Sequence, residues 1–393
     1  MIQVRILGGQ LGIILASLLA LPACDGGNGT EPPPPELLEL DGIAAGVRHT
    51  CGVAPAASAT SPSGSAFCWG RGEQGQLGTG NTLDRLTASA VLGPVVFASV
   101  SAGLRHTCGV ADDGIAYCWG EGENGQLGTG TTNSTLGQAP VNTEVLFASV
   151  SAGARYSCGV AVDGTAYCWG EGEKGQLGTG TTLDRLTPTP VAGGLVFRQV
   201  SAGEEHTCGV TEDGTAYCWG EGENGQLGTG TTLDRLTPTP VNGNLVFSQI
   251  SVGGGHSCAV TVDGSARCWG EGEKGQLGTG TTLDRLTPTP VAGGNVFAQV
   301  SGGRAHTCGI TEDGQVLCWG EGEAGQLGTG NVQDRLSPQA VISTLTYRQV
   351  SAGDDHTCAV TDEATAFCWG SGQEGQLGNG STNTALSPVR VVR

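Results

Sequence analysis

Apolar residues in this chain fall in short runs broken by glycine-rich polar stretches, and the runs show no helical periodicity. The stretch at 200–249 is representative: VSAGEEHTCGVTEDGTAYCWGEGENGQLGTGTTLDRLTPTPVNGNLVFSQ. Its centre predicts a hairpin with strands at 206–211 and 215–219. The turn signal Glu212-Asp213-Gly214 lies between them, with Gly214 suited to the left-handed position of a three-residue loop. Further strands are expected at 196–202 and 238–241, about four per unit.

This pattern recurs, and the cysteines mark its register. Fourteen of the fifteen fall into pairs: Cys51 with Cys68, Cys108 with Cys118, Cys158 with Cys168, Cys208 with Cys218, Cys258 with Cys268, Cys308 with Cys318 and Cys358 with Cys368. Over most of the chain the pairs step by 50 residues. In the predicted hairpin Cys208 lies opposite Cys218 at a non-hydrogen-bonded site, where side chains approach most closely, so each pair is expected to close a disulfide. In the first unit the residues APAASATSPSGS lengthen the hairpin loop. Four short antiparallel strands, about 50 residues and seven copies describe an all-β, seven-bladed β-propeller over residues 38–393. Such units cannot bury their apolar faces alone. The ends 38–43 and 388–392 are both strand-like, and we expect them to complete one shared blade.

Composition alters this picture in two ways. Seventy glycines and 5% aromatic residues make ordering the backbone costly, which gives the disulfides a stabilising task. The net charge is −19, and removing Arg5, the sole charge in residues 1–23, leaves −20. So acidic a body repels phosphate backbones, which argues against nucleic-acid partners.

Residues 1–23 read as a secretory signal, with an apolar run at 6–23 after Arg5. Leu21-Pro22-Ala23-Cys24 resembles a bacterial lipobox, whose cysteine is acylated through sulfur. Cys24 is the odd cysteine, and residues 24–37 (through DGGNGTEPPPPE) suit a tether. We therefore expect an exported, monomeric protein of the bacterial cell envelope whose only membrane contact is the lipid on Cys24, or a secreted one if cleavage simply follows Ala23. Asp25 resembles an inner-membrane retention signal of some Gram-negative bacteria.

Candidate chemistry is sparse. His206, Cys208 and Cys218 could be read as zinc ligands, but the third unit has Tyr156 in place of histidine and keeps both cysteines. Gly220-x-Gly222-x-x-Gly225 fits a dinucleotide fingerprint without a βαβ unit, so it reads as tight turns. Glu221-Gly-Glu223 lacks the spacing of a calcium loop and reads as a solvated turn, and Trp69 through Trp369 read as inter-blade packing. No nucleophile–base–acid set stands apart from the repeat. We expect no enzyme, no metal and no cofactor. What varies inside the fixed frame is a two-residue loop: Val47-Arg48, Leu104-Arg105, Ala154-Arg155, Glu204-Glu205, Gly254-Gly255, Arg304-Ala305 and Asp354-Asp355. One loop per blade places these pairs in a ring on one face, with uneven charge. That ring is the candidate partner-binding surface.

Each unit also carries GQLG, as at 125–128, 225–228 and 275–278, together with full or near matches to AG-x-x-H-T/S-C and DG-x-A-x-C-W-G. This resembles the repeat of the regulator of chromosome condensation family, over about residues 38–393. The resemblance implies the seven-bladed propeller. The family's founder is a nuclear exchange factor for a small GTPase that also binds chromatin, partners out of reach for an exported acidic chain. A plant ultraviolet receptor of this architecture uses tryptophans where Val47, Leu104 and Ala154 stand here, so light sensing is not implied. A secreted bacterial relative inhibits β-lactamase with one propeller face. The leading expectation is a non-catalytic module binding a protein or glycan through the loop face, followed by an inhibitor of a secreted or periplasmic enzyme, then nucleotide exchange by analogy.

Overall fold

A computed structural model describes residues 38–55 and 64–393. Cys24, the expected signal and tether, and most of the lengthened first hairpin loop lie outside the described residues. The described chain forms twenty-eight strands in seven four-stranded antiparallel sheets, with no helix among the described residues. The blades run Gly42–Ala90, Phe97–Pro140, Phe147–Pro190, Phe197–Pro240, Phe247–Pro290, Phe297–Ala340 and Tyr347–Arg390.

The central hairpin has the expected register. Cys208 faces Cys218, Gly209 faces Tyr217 and Val210 faces Ala216. The loop closes through Thr211 N–H to Thr215 O (3.0 Å) and Gly214 N–H to Thr211 O (2.9 Å), with Gly214 at φ 84°. All seven expected disulfides form, one per blade. Cys51 is bonded to Cys68, Cys108 to Cys118, Cys158 to Cys168 and Cys208 to Cys218. Cys258 is bonded to Cys268, Cys308 to Cys318 and Cys358 to Cys368. Their Cα separations are 4.0–4.1 Å, the close approach of a non-hydrogen-bonded pair. The first pair spans 17 residues rather than 10, so the longer loop leaves the bridge in its ordinary place.

In the last blade Ala364 holds the left-handed loop position at φ 61°. An L-residue pays roughly 1–2 kcal/mol there, partly offset by the freedom glycine would lose on folding. Ala364→Gly is therefore expected to stabilise the protein by about 0.5–1 kcal/mol, read as a higher urea midpoint with an unchanged slope.

The fourth strand departs from expectation, running Arg235–Pro240 rather than 238–241. A bulge between Cys218 and Gly220 lets it start three residues earlier. Pro238 and Pro240 are tolerated because this strand is the outer edge of its sheet.

The first strand of each blade is innermost, since the ends of all seven line one central opening. Side chains of the preceding blade cap its free edge. Ser201 Oγ accepts from Val252 N–H (3.1 Å), and Gln199 both accepts from Ile250 N–H (3.1 Å) and donates to Ile250 O (2.9 Å).

The cores lie between blades. Cys208, Val210, Ala216, Cys218 and Leu227 of the fourth blade pack on Phe247, Ile250, Val252, Ala259 and Trp269 of the fifth. The GQLG segment makes the join. Two successive tight turns, Gly225 N–H to Gly222 O and Gly228 N–H to Gly225 O, carry Gln226 and Leu227 into the next blade. The Gln226 carbonyl accepts from Trp269 Nε1–H and from Ser257 Oγ–H, both 2.9 Å. Gly228 sits at φ 67°, and a Cβ there would lie 2.7 Å from Trp269 Nε1. The fingerprint-like glycines are thus turns, and the tryptophans are inter-blade packing.

Ring closure corrects the expectation of a shared blade. The first and last sheets are each continuous in sequence. The seam instead repeats the ordinary joint: Gln376 O accepts from Trp69 Nε1–H and Thr50 Oγ–H, both 2.9 Å. Leu40 N–H donates to Ala364 O (2.8 Å), as Phe197 N–H donates to Gly164 O, so Leu40 fills the place of the usual aromatic residue. In return Ala88 N–H donates to Val392 O (2.9 Å), so Leu40 and Val392 each reach across the seam to the other's blade.

Candidate binding face

The loops between first and second strands end at the central opening. Val47, Leu104, Ala154, Glu204, Gly254, Arg304 and Asp354 rim it. Above it is a bowl of about 390 Å3 lined by Val47, Arg48, Leu104, Arg105, Ala154, Arg155, Glu204, Glu205, Arg304 and Asp354. Ten of the fourteen loop-pair residues expected at the partner-binding surface therefore share one concavity, and Gly254 rims the opening beneath it. Asp355 does not line it, and acts on the bowl through its charge on Asp354.

Arg71, Glu73, Gln74, Gln76 and Glu171 complete the lining from the long loops between third and fourth strands, and the sequence reading missed them. A signal was present, since the residue before the GQLG glycine varies as Gln74, Asn124, Lys174, Asn224, Lys274, Ala324 and Glu374.

Ion pairs tie this face together. Arg48 meets Glu374 at 3.0 Å, Arg105 meets Glu121 at 3.3 Å, and Arg155 meets Glu171 at 3.3 Å. Lys174 lies 2.8 Å from Glu221 and 3.7 Å from Glu205, and Glu221 holds its ammonium up to about 12. Arg304 reaches past Gly254, which has no side chain to obstruct it, and sets Nε 3.9 Å from Glu204 and 3.6 Å from Asp354. That last contact is an ion pair too long for a hydrogen bond, and Asp354 Oδ1 has no hydrogen-bond partner. Burial, and then repulsion from Asp355, pushes the Asp354 carboxyl up to about 6, with Arg304 pulling the other way. Burial and then Glu221 raise Glu205. Exposed pairs of this kind contribute little to folding, so the face can change without loss of the ring.

The repeat histidines lie beneath the face and are committed elsewhere. His206 Nε2 is 2.9 Å from Ser257 Oγ, whose single proton goes to Gln226 O. The hydroxyl must therefore accept, which fixes His206 as the neutral Nε2–H tautomer. Tyr156 takes this role in the third blade, donating to His206 O at 2.6 Å and lying 2.9 Å from Thr207 Oγ. With Cys208 and Cys218 bonded to each other, the three groups considered for zinc are all occupied.

Residues 142–393 match the RCC1-like domain. Regulator of chromosome condensation (RCC1) repeats match residues 63–110, 97–126 and 113–160. The chain belongs to the RCC1-like domain family. Comparison with curated proteins returns no match. Among solved structures, this RCC1-like chain is similar to human WBSCR16 at 22% identity, covering 83% of this chain and 93% of that one, with a TM-score of 0.76. It is similar to Prp20p of Saccharomyces cerevisiae at 21% identity, covering 91% and 88%, with a TM-score of 0.76; that structure is described with binding to Gsp1p and histones. The ectodomain of the Physcomitrella patens receptor kinase CR4 matches at 18% identity over 84% and 73%, with a TM-score of 0.55. At these identities the likeness concerns the fold.

Proposed function

We propose that this RCC1-like propeller is an exported binding module, tethered to the cell envelope through Cys24, that holds a protein partner on the charged bowl and performs no chemistry. The observation that carries this reading is the contrast between frame and mouth. Cysteine, tryptophan, glutamine carbonyl and histidine recur in fixed roles, while the loops rimming the opening differ from blade to blade. Seven buried disulfides are consistent with an oxidising, exported setting. Histidines bound into inter-blade contacts are poorly placed for acid–base work, which supports the non-catalytic reading.

The test is recovery of partners from an envelope fraction by the wild-type ring and by a variant with Gly-Gly at all seven loop pairs. The expected result is a protein captured by the first and lost by the second with the melting temperature nearly unchanged. Equal capture by both would remove the bowl as the binding face.

A further inference from the structure

The bowl's charge does not follow the sevenfold frame. Arg48, Arg105 and Arg155 come from three consecutive blades and are about half exposed, at 52%, 49% and 55%. Each is held through Nη1 by a more deeply placed carboxylate, of Glu374, Glu121 and Glu171, with exposures of 28%, 9% and 13%. A guanidinium anchored at one nitrogen keeps its remaining donors pre-oriented for a second carboxylate. Across the bowl, Glu204, Glu205 and Asp354 form an acidic arc in which Arg304 is already engaged.

The channel wall is asymmetric in the same sense. Gln199, Gln249, Gln299 and Gln349 each span to the backbone of the next inner strand. The equivalent positions in the first three blades are Gly42, Ser99 and Ser149, paired with Val53, Val110 and Val160 as Gln199 is with Val210. Glycine and serine are too short to make that span, and Ser99 is exposed. The arginine arc therefore stands above the side of the wall with more room and with backbone groups free of such caps.

We propose that the bowl receives a protruding loop of a partner protein, with carboxylates set against Arg48, Arg105 and Arg155 and a basic residue set against Glu204 and Glu205. This deepens the binding-face reading and rests on it. The two charged arcs admit such a loop in one rotational setting, which breaks the near-symmetry of the frame. A long polyanion fits less well, because the acidic arc and the net charge of −19 oppose it.

The experiment pans a library of randomised loops, displayed on a neutral scaffold protein, against the wild-type ring. Recovered loops are expected to be rich in Asp and Glu with a flanking Lys or Arg, and to lose about tenfold or more in affinity for R105A/R155A. The E204K/E205K ring is expected to select loops lacking the basic residue. Loops that need the seven pairs but bind R105A/R155A as well as wild type overturn the charge assignment alone. Loops insensitive to Gly-Gly at all seven pairs overturn the binding face itself. Heparin fragments that bind wild type but not R105A/R155A, with no acidic loops recovered, would assign the arc to polyanions and overturn the protein loop.

Discussion

Dithiothreitol alone is expected to leave the native ring oxidised, and dithiothreitol with moderate urea to unfold it in one concerted step. All fourteen paired cysteines are 0% exposed, and exchange needs a thiolate to reach a sulfur directly. The bridge from Cys208 to Cys218 lies in the core shared with Ile250, Val252 and Trp269, so exposing it means parting the fourth and fifth blades. Parting them breaks the Gln226 joint and strips both neighbouring cores. The chain-entropy treatment gives roughly 3 kcal/mol for a loop of this size, and residual hairpin structure in the unfolded chain lowers it to about 2. Seven such terms sum to about 14 kcal/mol, comparable with the whole net stability of a typical domain. Alkylation followed by intact-mass analysis should find two populations, with none or all of the fourteen thiols modified. Cys24 adds one further alkylation only where it is not acylated. A ladder of partly reduced, still folded species would contradict the shared-core account.

The blade was legible in the sequence because its determinants are local. Thr211, Asp213 and Gly214 set the turn, the turn sets the register, and the register places Cys208 against Cys218. The ring was legible only as a count. Contacts between residues about 50 apart look the same at every joint, so nothing in the string said that Gln376 closes onto Trp69. Nor could it show that Leu40 stands in for an aromatic residue, since a leucine at a strand start suits a shared blade equally well. The bowl was half legible. Its inner loops announced themselves by varying between an invariant glycine and a histidine that only the third blade replaces, by Tyr156, whereas Arg71 and Glu171 sit in a loop whose fold is set by Gly222-, Gly225- and Gly228-type turns. Their arrival at the mouth depends on how far that loop reaches across the joint, a tertiary distance.

The same joints make the ring acid-labile. Burial holds His49, His206, His306 and His356 down to about 3 and His106 and His256 to about 4, with repulsion from neighbouring histidines a smaller contribution where present. Each gives its Nε2–H to a threonine or serine hydroxyl of the next blade, and Nδ1 has no partner in five of the six. A second proton would therefore create a buried cation with an unpaired N–H. Unfolded histidine titrates near 6.5, so between that value and about 4 the unfolded chain binds up to six more protons than the ring, and stability falls as pH falls. The raised carboxyls of Asp354, Glu205 and Glu271 oppose this, because the folded form holds their protons at higher pH than the unfolded chain does. A net uptake of roughly three to five protons gives a slope of about 4–7 kcal/mol per pH unit. The urea midpoint should thus drop steeply from pH 6.5 to 4.5. His306→Tyr copies the third blade, where Tyr156 bonds the next histidine's carbonyl beside Thr207 as a tyrosine at 306 would bond His356 O beside Thr357. It should leave stability at pH 7 nearly unchanged and lower the slope by about 1.4 kcal/mol per pH unit. A midpoint flat over that range, or a slope indifferent to the substitution, would show that the inter-blade histidines are not what acid attacks.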